Sequence, residues 1–394
     1  MFSLRLISKI IYILCFIVIV ILLPIHGQLD EGSACSMNGK SGICKLLTDC
    51  ISVYKSLLAG NPPEKNCGYA NRIPIVCCPN DVPTSTDTKM NVEQPNPSND
   101  ERGVLSREKC REYSQYVYQL VNPPIFLIGS KPFNTSTCGI KGKTLIIGGE
   151  KALGKEFPHM VALGYESGKG IEWSCGGSLV SRRFVLTAAH CLRSVDNVAP
   201  TVARVGDLNL VSKDDAAKPK DYKIIDKIPN PQYKPPSLYH DIALLKLETN
   251  VEFNEYVRPA CLQTTLPDSP ENKATATGWG YVDWENETRS DDLLKVTINI
   301  VNHTACNTFT YSNIRFNRGI VNDSQICAGE YGKDTCGGDS GGPLLIFNDD
   351  HYCMYNIIGV TSAGQLCGLY TPGIYTRVYN YIPWLESVIW AEHD

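Results

Sequence analysis

No run of lysines and arginines occurs in these 394 residues, and the formal net charge is only −4, from 37 basic and 41 acidic side chains. Without a basic stripe to neutralise phosphates, no nucleic acid partner is expected. Long apolar stretches are missing as well, with one exception: Ile10 to Leu23, 14 residues ending before Pro24. A membrane span needs about 20 such residues. The run follows Arg5 and Lys9 and leads to a small residue, Gly27, so residues 1–27 are expected to be a cleaved secretory signal, with no membrane span.

Cysteine, in contrast, is plentiful. There are seventeen; Cys15 leaves with the signal, and the even number that remains can pair completely in an oxidising compartment. Sequons at Asn134, Asn286, Asn302 and Asn322 suit a secreted, extracellular chain, since each places a polar glycan on a surface loop.

Six of the cysteines, Cys35, Cys44, Cys50, Cys67, Cys77 and Cys78, fall in one short stretch. A unit that small cannot bury an adequate core, so disulfides must hold it together. Six cysteines allow 15 pairings, and adjacent Cys77 and Cys78 must take different partners because their side chains diverge. Zinc is the competing reading; the compartment and the absence of histidine in the cluster argue against it. From Pro79 to about Arg102 the chain turns to Pro, Asn, Ser, Thr and Asp, the composition of an exposed linker. Beyond Thr144, short apolar runs recur between turn residues, as in Phe184 to Thr187, Ile242 to Leu247 and Gly373 to Val378, predicting an all-β barrel or sandwich. A closing helix is predicted over Tyr381 to Trp390, with Pro383 near its start.

The segment Gly337-Gly338-Asp339-Ser340-Gly341-Gly342-Pro343 is too rich in glycine for a strand and presents one hydroxyl where the backbone can turn sharply. Ser340 is a candidate nucleophile, against the bland reading of a glycine turn. A serine needs a base, and His190 in Thr187-Ala188-Ala189-His190-Cys191 is the candidate, its loop fixed by the following cysteine. The imidazole in turn needs a carboxylate to set its tautomer, and Asp241 opens the apolar strand Asp241-Ile242-Ala243-Leu244-Leu245.

His190, Asp241 and Ser340, in that order and each within an extended motif, resemble the chymotrypsin-like serine protease family from Ile146 to the C-terminus. The resemblance implies a double antiparallel β-barrel with the triad in the cleft between barrels, and an oxyanion hole made by the N–H groups of Gly338 and Ser340. Ile146-Ile147-Gly148-Gly149 matches the family's mature N-terminus, so the α-amino group of Ile146 is expected to pair with Asp339 once the chain is cut after Leu145. Leu145 is a departure, because an arginine or lysine usually precedes the cut; the activator is therefore expected to be an upstream protease of non-tryptic specificity. Asp334, six residues before Ser340, matches the base of the primary specificity pocket and implies cleavage after Arg or Lys, with Gly364 and Gly373 leaving that pocket open. Ala363 stands where relatives carry an aromatic side chain. No cofactor is required and no metal site is expected: Asp207, Asp214, Asp215 and Asp221, near a calcium loop of some relatives, are read as solvated surface charge.

Family pairing implies Cys175 with Cys191, Cys306 with Cys327, Cys336 with Cys367, and Cys138 with Cys261, which leaves Cys110 and Cys353 to each other. The N-terminal cluster resembles a clip domain of arthropod extracellular cascades, with Cys35 joined to Cys77, Cys44 to Cys67 and Cys50 to Cys78. The expected organisation is a signal peptide (1–27), a clip domain (35–78), a linker and light-chain tail (79–145) and a trypsin-like domain (146–394). The expected partners are the activating protease, a downstream protease zymogen as substrate and a serpin inhibitor. The alternatives are a non-catalytic protease homologue acting as an adaptor, or the same chemistry in melanisation, clotting or venom.

Overall fold

The computed structural model describes residues 32–37, 40–46, 50, 53, 66–70, 73–79, 102–121, 133–139 and 149–391, apart from 169, 195, 213–216, 267, 270–271, 284–287, 310–313, 330–337 and 364–371. The chain divides into two units, Met1–Asn96 and Pro97–Asp394. In the first, β1 (Ala34–Met37), β2 (Lys40–Leu46), β3 (Asn66–Ala70) and β4 (Ile73–Pro79) form an antiparallel sheet in the order β1-β2-β4-β3. Among its described residues the buried hydrophobic side chains are Cys44, Cys50, Val53, Cys67, Ile75, Val76 and Cys77. The bonds Cys35–Cys77, Cys44–Cys67 and Cys50–Cys78 supply the restraint such a small core cannot.

The second unit begins with α1 (Val104–Ser114) and a hairpin of β5 (Tyr118–Val121) and β6 (Phe133–Ser136), then the short β7 (Glu150–Lys151). The next six strands are β8 (Met160–Ser167), β9 (Gly170–Leu179), β10 (Phe184–Thr187), β11 (Pro200–Val205), β12 (Lys220–Pro229) and β13 (Ala243–Leu247). They close a barrel in the order β10-β13-β12-β11-β8-β9. Closure leaves no strand edge exposed to pair elsewhere. Leu163, Leu179, Leu186, Leu244, Leu245 and Leu247 are buried in the core of this first barrel and its packing against the rest of the unit, Leu244 on the opposite face of β13 from Leu245 and Leu247.

β14 (Cys261–Leu262), β15 (Lys273–Gly278), β16 (Tyr281–Asp283), β17 (Thr288–Arg289) and β18 (Leu294–Val301) follow, then α2 (His303–Phe309). The chain ends with β19 (Gln325–Ala328), β20 (Pro343–Phe347), β21 (Tyr355–Ala363), β22 (Gly373–Arg377) and α3 (Ile382–Ile389). Pairings run β21-β20-β15-β18-β19-β22 and back to β21, a second closed ring, with β14 added on β21 and β7 on β18. Pro383 sits in the first turn of α3, where its missing N–H costs nothing, and Ile382, Leu385 and Ile389 turn one face into the core. No described helix is long and apolar enough to cross a membrane.

Two disulfide pairings differ from those expected. Cys110 is bonded to Cys261 and Cys138 to Cys353, not Cys138 to Cys261 and Cys110 to Cys353. The reason lies in α1, which packs beside β14 and brings Cys110 within 5.1 Å (Cα to Cα) of Cys261. Cys138, just after the hairpin, meets Cys353 in the turn between β20 and β21. Cys175–Cys191 and Cys306–Cys327 are formed. The expected Cys336–Cys367 bond lies outside the described residues.

Candidate active site

Each of the three candidate catalytic residues stands at the mouth of a strand. His190 lies in a single helical turn, Ala189–Leu192, directly after β10; Asp241 comes two residues before β13; Ser340 comes three residues before β20. Since β10 pairs with β13, with Thr187 opposite Ala243, the ends of these two strands bring His190 and Asp241 together. His190 Nδ1 is 2.7 Å from Asp241 Oδ2, and the His190 main-chain N–H donates to Asp241 Oδ1 at 2.9 Å. Asp241 is completely buried. Ser362 Oγ donates to its Oδ2 at 2.5 Å, and Thr376 Oγ1 to its main-chain oxygen at 2.8 Å. Donors on both oxygens and on the main-chain carbonyl fix the orientation of this carboxylate. For His190, burial disfavours the imidazolium, but the charge and hydrogen bond of Asp241 outweigh it and raise the pKa above its ordinary 6.5; the Arg315 charge pulls the other way.

Ser340 is anchored against the same loop. Gly176 N–H on β9 donates to the Ser340 carbonyl at 2.8 Å, and Thr187 Oγ1 donates to the Gly176 carbonyl at 2.9 Å. Gly341, at φ +76°, sits so close that a Cβ would lie 2.2 Å from Thr187 Oγ1 and 3.1 Å from Ala188 N. Only glycine lets the serine turn press against the segment that leads into His190. Gly341 N–H is taken by Thr361 O at 2.8 Å and Gly342 N–H by Asp339 O at 2.8 Å, whereas the N–H groups of Gly338 and Ser340 donate to nothing among the described residues. Two donors unspent among the described residues, next to the candidate nucleophile in sequence, are what an oxyanion site requires.

Asp339 is held in a cradle of small residues. Gly280 N–H donates to its Oδ1 at 2.8 Å, and a Cβ at Gly278 would fall 2.0 Å from that oxygen. Leu145, Ile146, Asp334 and Gly364 lie outside the described residues. Gly373 opens β22 opposite Ala328, and Ala363 packs on Leu238, Phe316 and Ile374. Asn134, Asn302 and Asn322 are exposed, while Asn286 lies outside the described residues. Of the four acids read as solvated surface charge, Asp221 is exposed and pairs with Arg204, whereas Asp207 is buried, against that reading, because its carboxylate is taken up by Arg204 and the Asn209 N–H; Asp214 and Asp215 are outside the described residues. The close sulfur groups Cys35, Cys44, Cys67 and Cys175, Cys191 consist of disulfide sulfurs. Ser362, Thr376 and Thr187 are the functional neighbours that sequence reasoning missed; each is an ordinary strand residue, and the partner of Ser362 and Thr376 lies more than a hundred residues away.

Two closed barrels with a buried carboxylate, an imidazole and a serine turn between them are the chymotrypsin-like fold of a serine protease. Residues 146–385 match the Trypsin family model, and the chain belongs to that family as a serine endopeptidase. It is 34% identical to Serine protease snk of Drosophila melanogaster, over 93% of this chain and 80% of that protein. It is likewise 34% identical to Venom serine protease Bi-VSP of Bombus ignitus, over 93% and 95% of the two chains. CLIP domain-containing serine protease B15 of Anopheles gambiae is 30% identical, over 89% and 96%. With its three-disulfide sheet ahead of the double barrel, the chain is an arthropod-type clip-domain trypsin-like protease.

Proposed function

We propose that the chain is secreted as an inactive precursor, is cut after Leu145 by a protease of non-tryptic specificity, and then cleaves after Arg or Lys in a downstream zymogen of an extracellular cascade, in Toll-type signalling or innate immunity. The observation that carries the chemistry is the His190–Asp241 couple, 2.7 Å apart, beside a serine turn whose Gly338 and Ser340 amides are unspent among the described residues. In this reading Ser340 Oγ attacks the scissile carbonyl, losing its proton to His190 Nε2. Gly338 and Ser340 N–H groups hold the oxyanion. His190 then gives the proton to the departing amine, and water releases the acyl group from Ser340 by the reverse sequence. Asp334 is the residue that favours a basic side chain in the specificity pocket. Activation follows from Asp339: until a new amino group at Ile146 joins its carboxylate, the oxyanion turn lacks that support.

The cascade setting rests on relatives whose names carry such roles, among them Phenoloxidase-activating factor 1 of Holotrichia diomphalia, 31% identical over 92% of that protein. Melanisation is therefore the second setting to test. The decisive experiment expresses the precursor with Leu145→Arg, cuts it with trypsin, confirms Ile146 as the new N-terminus, and assays Arg, Lys and Phe anilides beside a Ser340→Ala control. Arg or Lys turnover that is abolished in the control is the expected result. A correctly cut protein inert on every substrate overturns it in favour of an adaptor.

A further inference from the structure

Tyr118 and Leu120 on β5 are 45% and 69% exposed, and a strand that leaves large apolar side chains in water is a liability. Side chains alternate between the two faces of a strand. Gln119, between the two, reaches the body of the unit and donates to Glu255 Oε2 at 3.4 Å, so Tyr118 and Leu120 share the outer face. Among the described residues β5 pairs only with β6, and a two-stranded sheet has no second layer of its own to cover that face.

Beside these side chains lies a sequon. The register sets Leu120 opposite Asn134 and Tyr118 opposite Ser136, the first and last residues of Asn134-Thr135-Ser136. Asn134 and Ser136 are exposed, with half-buried Thr135 between them. Directly opposed residues stand about 4.5–5.5 Å apart and diagonal ones roughly 7–8 Å, so a group attached to Asn134 Nδ2 reaches both Leu120 and Tyr118. The other described sequons are placed differently. Asn302 precedes α2, its Oδ1 accepting from Ala305 N–H at 2.8 Å, and Asn322 lies in the turn before β19. Among the described sequons, Asn134 alone stands across a strand pair from an exposed apolar side chain.

We propose that Asn134 carries an N-linked glycan and that this glycan is the cover of the apolar face of the β5–β6 hairpin. The proposal rests on the reading that the chain is secreted. The co-reactant is a lipid-linked oligosaccharide diphosphate met on the secretory route. A bond forms between Asn134 Nδ2 and the anomeric carbon of the oligosaccharide, the bond from that carbon to the donor phosphate breaks, and the amide proton leaves with the lipid diphosphate. A sugar ring carries C–H groups on its faces and hydroxyls on its rim, so it covers Leu120 and the Tyr118 ring while keeping its polar groups in water. Its bulk also blocks the outer edge of β5 against pairing with a second chain.

The test expresses the full chain with Leu145→Arg in a secreting insect cell line, cuts it with trypsin and reduces it. Of the four sequons only Asn134 precedes residue 145, so the light chain reports on it and the heavy chain on the others. A peptide N-glycosidase is expected to shift the light-chain band, and Ser136→Ala, but not Ser136→Thr, to abolish that shift. Asn134→Gln should bind an apolar dye roughly twofold or more above the unaltered sequon and form high-mass species on concentration. Adding Leu120→Ser and Tyr118→Ser to that variant should remove the gain, with turnover of an Arg anilide the same throughout. Should Asn134→Gln not be secreted, removing the glycan from the folded protein gives the same reading. A secreted protein whose light chain does not shift overturns the proposal alone, as does a light chain that shifts while its bare form binds no more dye. A chain retained in the cell with every sequon bare overturns the secretion reading and this proposal with it.

Discussion

Asp241 receives three donors on its carboxylate, His190 N and Nδ1 and Ser362 Oγ, in a site with no access to water. Replacing its charge while keeping its shape separates its two duties. Asp241→Asn is expected to lower kcat by roughly 10⁴, the cost of a wrong tautomer and an unstabilised imidazolium. It should also move the pH profile. His190 acts as base only when neutral, and its raised pKa delays that state to higher pH; without the Asp241 charge, burial and Arg315 remain, and both lower the pKa. The ascending limb of kcat/KM should therefore shift to lower pH in the variant, and a limb that stays where it is removes Asp241 from this role. Ser362→Ala is the gentler change. It deletes one bond to a buried charge, and kcat should fall about tenfold, roughly 1.4 kcal/mol, with KM nearly unchanged. Steady-state kinetics on an Arg anilide measures both.

Among the elements, the light chain is the one that the sequence described least well. The triad motifs, the strand pattern beyond Thr144 and the final helix were legible because each is local: alternation, turn residues and a proline at a helix start act within a few positions. Cys110, Cys138, Cys261 and Cys353 carry no such signal, since their partners are set by how α1 and the β5–β6 hairpin pack on the second unit's body. α1 is anchored there by Ser106 N–H donating to Glu386 at 2.7 Å and by buried Tyr113, whose hydroxyl accepts from the Trp390 indole at 3.3 Å. Ser362 and Thr376 were hidden for the same reason, reaching Asp241 across more than a hundred residues. With two independent bridges from the light chain to the catalytic body, neither is needed alone to keep the chains joined. After a cut at Leu145, the variant Cys138→Ser with Cys353→Ser should still run as one species on a non-reducing gel, as should Cys110→Ser with Cys261→Ser. Only the fourfold variant should separate. Two bands from either pair variant contradict the pairing.

At the scale of the whole molecule, a buried cationic pocket couples the barrels to pH. His159, in the turn before β8, is almost wholly enclosed between Phe157 and Tyr355, and its Nε2 has no partner. Arg258 is buried nearby and donates to the carbonyls of Cys353 and Glu255. Burial first, and the Arg258 charge second, push the His159 pKa down to about 3 from 6.5. The unfolded chain thus binds a proton that the folded chain refuses, and stability must fall as pH drops below 6.5, by about 1.4 kcal/mol per pH unit until about pH 3. His190 does not mask this. Its folded pKa is raised, so its contribution is fully present below 6.5 and is lost only as pH rises through the folded value. The two histidines therefore act in separate windows. Urea unfolding of the Ser340→Ala precursor, which cannot digest itself, is expected to give about 2 kcal/mol less stability at pH 4.5 than at pH 6.5 from this group. His159→Gln, whatever it costs at neutral pH, should lose that part of the slope. A slope identical in the two proteins would mean that His159 protonates freely in the folded state, and that the pocket is open to water.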